Sequence, residues 1–235
     1  RVVAMRLMNY LYLTTVCVSS GFLLATQASA GVDGQVIGQA KVSKESTPEI
    51  RLGKKLFNQN CTACHQADAI GKPGVAPSLT NKDLLSISSD YFLEVTIREG
   101  RLGTGMPPFG FLGDVKIKAI VAYLRNHETL PNRSAQVDAQ PASYGDPRFG
   151  KEWFDQICAT CHGVAGDGYG SGGSGTAIGK NGFLSKVSDG FIRTTIKEGR
   201  ANTRMMGFSG SEGLANLDDK EVDDIIAYLR TLQHN

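Results

Sequence analysis

Two stretches of this sequence are nearly the same: GKKLFNQNCTACH at residues 53–65 and GKEWFDQICATCH at residues 150–162. Both end in Cys-x-x-Cys-His. The likeness continues downstream, where TIREGR is matched by TIKEGR and one AYLR by another, at residues 96–101, 195–200, 122–125 and 227–230. The sequence after residue 46 therefore predicts two copies of one folding unit, with the first copy at 47–130 and the second at 146–235.

Each copy has the pattern of a small helical unit. A proline suits the first turn of a helix, serine or aspartate suits the cap, and glycine suits the end, as at Gly100 and Gly199. The last helix of each copy has apolar residues spaced i, i+3, i+4, i+7, which indicates one buried face. The predicted helix starts are Pro48, Ser89 or Asp90, and Asp114 in the first copy, and Pro147, Ser188 or Asp189, and Asp218 in the second. These patterns predict an all-α fold of two tandem domains.

The segments outside the copies have their own signatures. Residues 1–30 have Arg1 and Arg6 at the start, an uncharged apolar stretch, and Ala28-Ser29-Ala30 at the end, which predicts a signal peptide. An uncleaved anchor over residues 7–25 is the alternative. Both interpretations predict export. Residues 31–46 are interpreted as a flexible tail, and residues 131–145, rich in small and polar residues, as an exposed linker.

The net charge of the chain bears on one class of partner, nucleic acid. The 235 residues include 25 Lys and Arg against 23 Asp and Glu, a net charge of +2. That balance gives no reason to expect nucleic-acid binding. The apolar and charged fractions, 41% and 20%, are those of an ordinary globular protein.

The chemistry lies in the repeated Cys-x-x-Cys-His motif, the spacing of a c-type haem attachment site. It predicts covalent haem attachment at Cys61 and Cys64 and at Cys158 and Cys161, with His65 and His162 as iron ligands. A disulfide, a zinc knuckle or a redox cysteine pair are the alternatives. A disulfide does not require an adjacent histidine twice, and a structural zinc site needs four ligands where each copy offers three.

Methionine is a common sixth ligand of haem iron. After residue 30 the chain has three: Met106, Met205 and Met206. When the two EGR sequences are aligned, Met205 lies opposite Met106, so Met106 and Met205 are the predicted ligands and Met206 the alternative. Ligation by a second histidine would use His127 and His234, whose positions do not correspond. Arg101 and Arg200 could pair with haem propionates or lie on the solvated surface.

Taken together, the haem motif, the methionine in GMPPFG, and the final helix ending in AYLR resemble class I cytochrome c. The tandem repeat resembles the dihaem cytochromes c, such as cytochrome c4, and each copy also resembles the haem modules of cbb3 oxidase subunits. The resemblance implies that a proline carbonyl, here that of Pro77, accepts a hydrogen bond from the ligand His65. Thr176 occupies that position in the second copy.

Two six-coordinate haems would leave no open iron position, so the expected function is one-electron transfer. The leading hypothesis is a periplasmic dihaem cytochrome carrying electrons between respiratory donors and acceptors, such as a cytochrome reductase, an oxidase or a dehydrogenase. An electron-transfer subunit of a membrane-associated dehydrogenase or oxidase complex is the alternative. A dihaem redox enzyme is a third hypothesis.

Overall fold

The repeat seen in the sequence recurs as a repeat of helices. The computed structural model describes residues 47–211 and 213–233. The predicted signal peptide or anchor, the tail at 31–46 and His234 lie outside these residues. The described helices are α1 (Pro48–Asn60), α2 (Thr62–His65), α3 (Lys82–Ile87), α4 (Asp90–Glu99), α5 (Asp114–Arg125), α6 (Ser134–Asp138), α7 (Pro147–Trp153), α8 (Ala159–His162), α9 (Asn181–Leu184), α10 (Asp189–Glu198) and α11 (Asp219–Leu232). Residues 47–211 and 213–233 contain no β-strand, only isolated bridges, so the all-α prediction is confirmed.

The helices begin where their capping residues predict. Ser89 and Ser188 each accept a hydrogen bond from the backbone amide three residues on, at the starts of α4 and α10. Asp218 forms a capping box with Glu221 at the start of α11. Side chains at these positions satisfy amides that have no partner inside the helix.

Within each copy, the first long helix crosses the last at very short range. A β-carbon added to Gly53 of α1 would lie 1.9 Å from the carbonyl oxygen of Ala119 in α5, and one added to Gly150 of α7 would lie 1.8 Å from that of Asp224 in α11. Aromatic rings pack beside both crossings. The ring centroids of Phe57 and Tyr123 are 5.4 Å apart, and those of Phe154 and Tyr228 are 5.2 Å apart. The glycine in the repeated GK sequence is therefore required by helix packing.

The arginine that ends each AYLR sequence ties the last helix to the middle of its copy. Arg125 donates to the backbone carbonyls of Leu85 and Ser88 and to the carboxylate of Asp90, so it joins α5 to the end of α3 and the start of α4. In the second copy Arg230 makes the equivalent bonds, to Leu184, Val187 and Asp189. A planar guanidinium has enough donors for all three acceptors.

The two copies pack against each other through equivalent surfaces. Phe92 of α4 lies against its counterpart Phe191 of α10, with ring centroids 5.2 Å apart. Asp83, at the start of α3, accepts a hydrogen bond from the amide of Ala201. Leu102 and Gly182 occupy the positions that match Ala201 and Asp83, and the backbone of Leu102 lies against Gly182. Since each copy offers the same patch to the other, the contact has the character of an isologous dimer interface.

The segment at 131–145, interpreted from its composition as an exposed linker, is mostly exposed, but one of its residues also enters the core of the second copy. It forms helix α6, whose Val137 is only 3% exposed in the core of the second copy. Arg133 reaches both copies, through an ion pair with Glu198 and a backbone hydrogen bond to Ser86. The sequence did not predict this core contact because a single buried valine produces no periodic pattern.

The second copy departs from the first just before its Cys-x-x-Cys-His motif. There the backbone widens into a π-helical turn over Phe154–Cys158, where the first copy continues as regular α-helix. The glycine-rich stretch after His162 folds back on itself, with the amide of Gly175 donating to Cys161 and that of Ile178 donating to Gly166. Among the residues described, no helix is both long enough and apolar enough to cross a lipid bilayer.

Candidate haem sites

The histidine of the first motif is held by a backbone carbonyl. Cys61 ends α1, and the short helix α2 then carries the chain to His65. The Nδ1 atom of His65 lies 3.0 Å from the carbonyl oxygen of Pro77. A carbonyl can only accept, so the proton is on Nδ1 and the lone pair on Nε2 is free to bind a metal. Burial lowers the pKa of His65, which favours the neutral ring that a metal requires.

The second motif has the same arrangement. The Nδ1 atom of His162 donates to the carbonyl oxygen of Thr176 at 2.7 Å. The hydrogen bond implied by the resemblance is therefore present in both copies, although proline is replaced by threonine in the second. Burial also lowers the pKa of His162. As whole residues, His65 is buried and His162 is half-buried.

The four motif cysteines are free thiols in the structure. Desolvation raises the pKa of Cys61 to about 11 and that of Cys158 to about 12. These two buried thiols are therefore protonated at neutral pH and are not in the thiolate form that redox cysteine pairs use.

The methionines predicted as iron ligands lie in two loops with the same hydrogen bonds. The carbonyl of Met106 accepts from the amide of Arg101, and the carbonyl of Met205 accepts from the amide of Arg200. The amide of each methionine donates to a threonine hydroxyl two residues earlier. Each of the two arginines follows a glycine, Gly100 or Gly199, with φ values of 67° and 72°. A β-carbon on either glycine would lie 2.6 Å from the carbonyl oxygen of the methionine in the same loop.

This loop geometry pairs Met205, not Met206, with Met106. Met205 is half-buried and packs against the same hydrophobic core as Cys158. Met206 is 57% exposed. His127, named above as an alternative ligand, lies just after α5, and its ring packs edge-on against Tyr123 with centroids 5.1 Å apart.

Two buried arginines bear on whether the region around each motif fits a haem. The Nε atom of Arg101 and an Nη atom of Arg200 are inaccessible to solvent and have no hydrogen-bond partner in the protein. Desolvation lowers the pKa of each to about 10, so both remain charged at neutral pH. Buried cationic donors without partners are costly, and the carboxylates of a haem are the kind of group that would satisfy them. The thiols, imidazoles, thioethers and guanidiniums together form a donor set that fits haem in both copies.

Comparison with known proteins agrees. The family described as cytochrome c oxidase, cbb3-type, subunit III matches residues 48–124, and the family described as cytochrome c matches residues 148–233. The chain therefore belongs to the cytochromes c and contains two tandem cytochrome c domains. Two such domains imply two covalently bound haem c groups and a function in electron transfer.

Individual relatives are subunits of respiratory complexes. The cbb3-type cytochrome c oxidase subunit CcoP of Rubrivivax gelatinosus is 34% identical over 124 residues, which are 52% of this chain and 37% of that protein. The cytochrome bc1 complex cytochrome c subunit of Mycobacterium leprae is 28% identical over 234 residues, 91% of this chain and 74% of that protein. The chain thus spans well under half of the cbb3 relative.

Among solved structures, the reducing HAO-like protein complex of Kuenenia stuttgartiensis shares 21% identity with a TM-score of 0.49. The match covers 80% of this chain and 97% of that one.

Proposed function

We propose that this protein is an exported dihaem cytochrome c that carries single electrons between respiratory donors and acceptors in the periplasm. Cys61 and Cys64 would hold one haem and Cys158 and Cys161 the other. The axial ligands would be His65 with Met106, and His162 with Met205. Bound haem supplies reversible one-electron chemistry at its iron.

The observation that carries the proposal is the equivalence of the two sites. In each, a backbone carbonyl bonds Nδ1 of the histidine, and a loop with matching hydrogen bonds contains the methionine proposed as the second ligand. A histidine and a methionine at each iron complete its coordination and leave no position for a substrate. The residues then serve to hold two ligands rigidly, which suits electron transfer better than bond-making chemistry.

The direct test is haem content and ligation. We expect two haems per chain by the pyridine haemochrome assay, covalently bound and resistant to acid–acetone extraction. Carbon monoxide should not bind the reduced native protein. One haem per chain, or rapid carbon monoxide binding, would contradict the proposal.

A second candidate is a subunit of a membrane-bound respiratory complex, which the relatives from cbb3 oxidase and the bc1 complex favour. Fractionation of the source cells separates the two. A free carrier is recovered in the periplasmic fraction with an N-terminus near residue 31. A complex subunit remains with the membranes and co-purifies with a reductase or an oxidase.

A further inference from the structure

Arg101 belongs to the first copy, but its side chain contacts the second. Its Nη2 atom donates to the carbonyl oxygen of Ala177 at 2.7 Å. Its guanidinium carbon lies 4.6 Å from the ring centroid of Phe183. The first contact is a charge-assisted hydrogen bond and the second a cation–π interaction, and both are strengthened away from water.

Hydrogen bonds place Arg101 next to a proposed iron ligand of each copy. Ala177 directly follows Thr176, whose carbonyl holds the ring of His162. On its own side, the backbone amide of Arg101 donates to the carbonyl of Met106, the proposed second ligand of the N-terminal iron, and its Nε atom is buried without a partner in the protein. One residue is therefore hydrogen-bonded to both sites, through its side chain to the second site and through its backbone to the first.

The counterpart of Arg101 behaves differently. Arg200 donates to the hydroxyl of Thr195 in its own helix α10 at 2.9 Å and lies over the ring of Phe191, with 5.4 Å from its guanidinium carbon to the centroid. Where the second copy has Phe183, the first has Leu84, so Arg200 has no equivalent ring across the interface. The hydroxyl of Thr96, which matches Thr195, is buried and lacks a hydrogen-bond partner in the structure. The side chains of Arg101 and Arg200 therefore make different contacts, although the two residues occupy matching positions.

The surrounding charges differ as well. Asp83 and Glu198 are close enough to act on Arg200, whereas the titratable group that acts on Arg101 is the phenol of Tyr169. The charge of Arg200 is therefore partly compensated by carboxylates of the protein. Among the described residues no carboxylate compensates the charge of Arg101 in this way, so that charge remains available to a group bound in the N-terminal site.

We infer that Arg101 is a positioning residue shared by the two haem sites: its charge adjusts the potential of the N-terminal haem, and its bond to Ala177 fixes the carbonyl segment that orients His162. The inference rests on the proposed haem ligation. A positive charge near a haem disfavours the ferric form, so its loss lowers the potential. Release of the Ala177 carbonyl changes the orientation of the ligand ring, a known means of tuning a metal centre.

The experiment compares Arg101→Gln with Arg200→Gln in the full-length holoprotein. Spectroelectrochemical titration gives both potentials, and paramagnetic NMR of the ferric protein gives a set of haem-methyl shifts for each haem. The set lost in Met205→Ala belongs to the C-terminal haem. Haem content of each variant is measured first. A wild type with one haem, or without a methyl set sensitive to Met205, would refute the proposed function, whereas the inference is judged on the variants.

For Arg101→Gln we expect the reduction equilibrium constant of the N-terminal haem to fall about two- to tenfold and the methyl shifts of the C-terminal haem to change. Arg200→Gln should leave the N-terminal haem unchanged. Arg101→Lys keeps the charge without the planar fork, so it should preserve the N-terminal potential and still move the C-terminal methyls. Phe183→Leu, which reproduces Leu84, should move the C-terminal methyls without removing any charge.

Two results would overturn the inference. One is an Arg101→Gln variant in which the C-terminal haem keeps both its potential and its methyl shifts. The other is an Arg200→Gln variant that changes the N-terminal haem as much as Arg101→Gln does. A lysine variant with wild-type methyl shifts at the C-terminal haem would overturn the role of the hydrogen bond to Ala177.

Discussion

Replacement of Gly150 by alanine tests the close crossing of α7 and α11. In an open helix this change is favourable, since alanine has a helix propensity better than glycine by about 1 kcal/mol. Here the new β-carbon would lie 1.8 Å from the carbonyl oxygen of Asp224 and 2.4 Å from its carbonyl carbon. These are backbone atoms that cannot rotate aside, so the two helices must move apart by more than 1 Å.

The cost follows from that displacement. Overpacking a well-packed core costs about 1–3 kcal/mol and sometimes more, and a contact with backbone belongs at or above the top of that range. Subtracting the propensity gain of about 1 kcal/mol leaves a net loss of about 2 kcal/mol. For a copy of this size, that loss lowers the melting temperature by about 8–16 °C.

The assay uses the one tryptophan in the chain, Trp153, which lies at the end of α7. Its fluorescence during urea or thermal unfolding reports on the second copy. Gly170→Ala is the matched control, because a β-carbon there meets nothing within 4 Å and its φ is not positive. The control should stay within about 0.5 kcal/mol of wild type. Equal stability of Gly150→Ala and the control would show that α7 and α11 do not cross at this short distance.

Three further predictions concern the ligands, the closing arginine and the two potentials. Met205→Ala should weaken the far-red absorption band of thioether-ligated ferric haem, whereas Met206→Ala should leave it unchanged; loss of the band in the Met206 variant alone would reverse the assignment. Arg230→Lys keeps the charge but cannot satisfy three acceptors at once, so urea unfolding should show a loss of about 1–3 kcal/mol. The C-terminal haem should have the lower potential, because the loop after His162 is longer and richer in glycine than the loop after His65, which should admit more water, and water favours the more charged ferric form; a spectroelectrochemical titration of the full-length protein showing equal potentials or the reverse order would contradict this.

Local patterns in the sequence predicted most of the structure within each copy. Capping residues mark the helix starts at Ser89, Ser188 and Asp218, and these signals depend only on neighbours along the chain. The alignment of EGR with EGR placed Met205 opposite Met106, and the hydrogen bonds of the two loops agree. Repetition made these predictions stronger, because each pattern had to account for two places in the chain.

Contacts between the copies could not be predicted in the same way. The side chain of Arg101 reaches the second copy because α4 packs against α10. A sequence does not state which faces of two helical units will be in contact. The one available signal was the difference between Phe183 and Leu84 at matching positions. The role of Val137 in the core was hidden for a similar reason, since one apolar residue in a polar segment has no period to detect.

The equivalent surfaces at the interface have a consequence for how the two halves could diverge. In a dimer of identical chains, every contact away from the symmetry axis occurs twice, so one substitution alters both. Joining the copies in one chain removes that restriction. Phe92 and Phe191 are matching residues that contact each other, so they lie where the symmetry axis of such a dimer would pass. Phenylalanine could then occupy position 183 while leucine remained at position 84, and the two arginines acquired different neighbours. Fusion in this way allows a pair of nearly identical redox centres to become unequal through a single side chain.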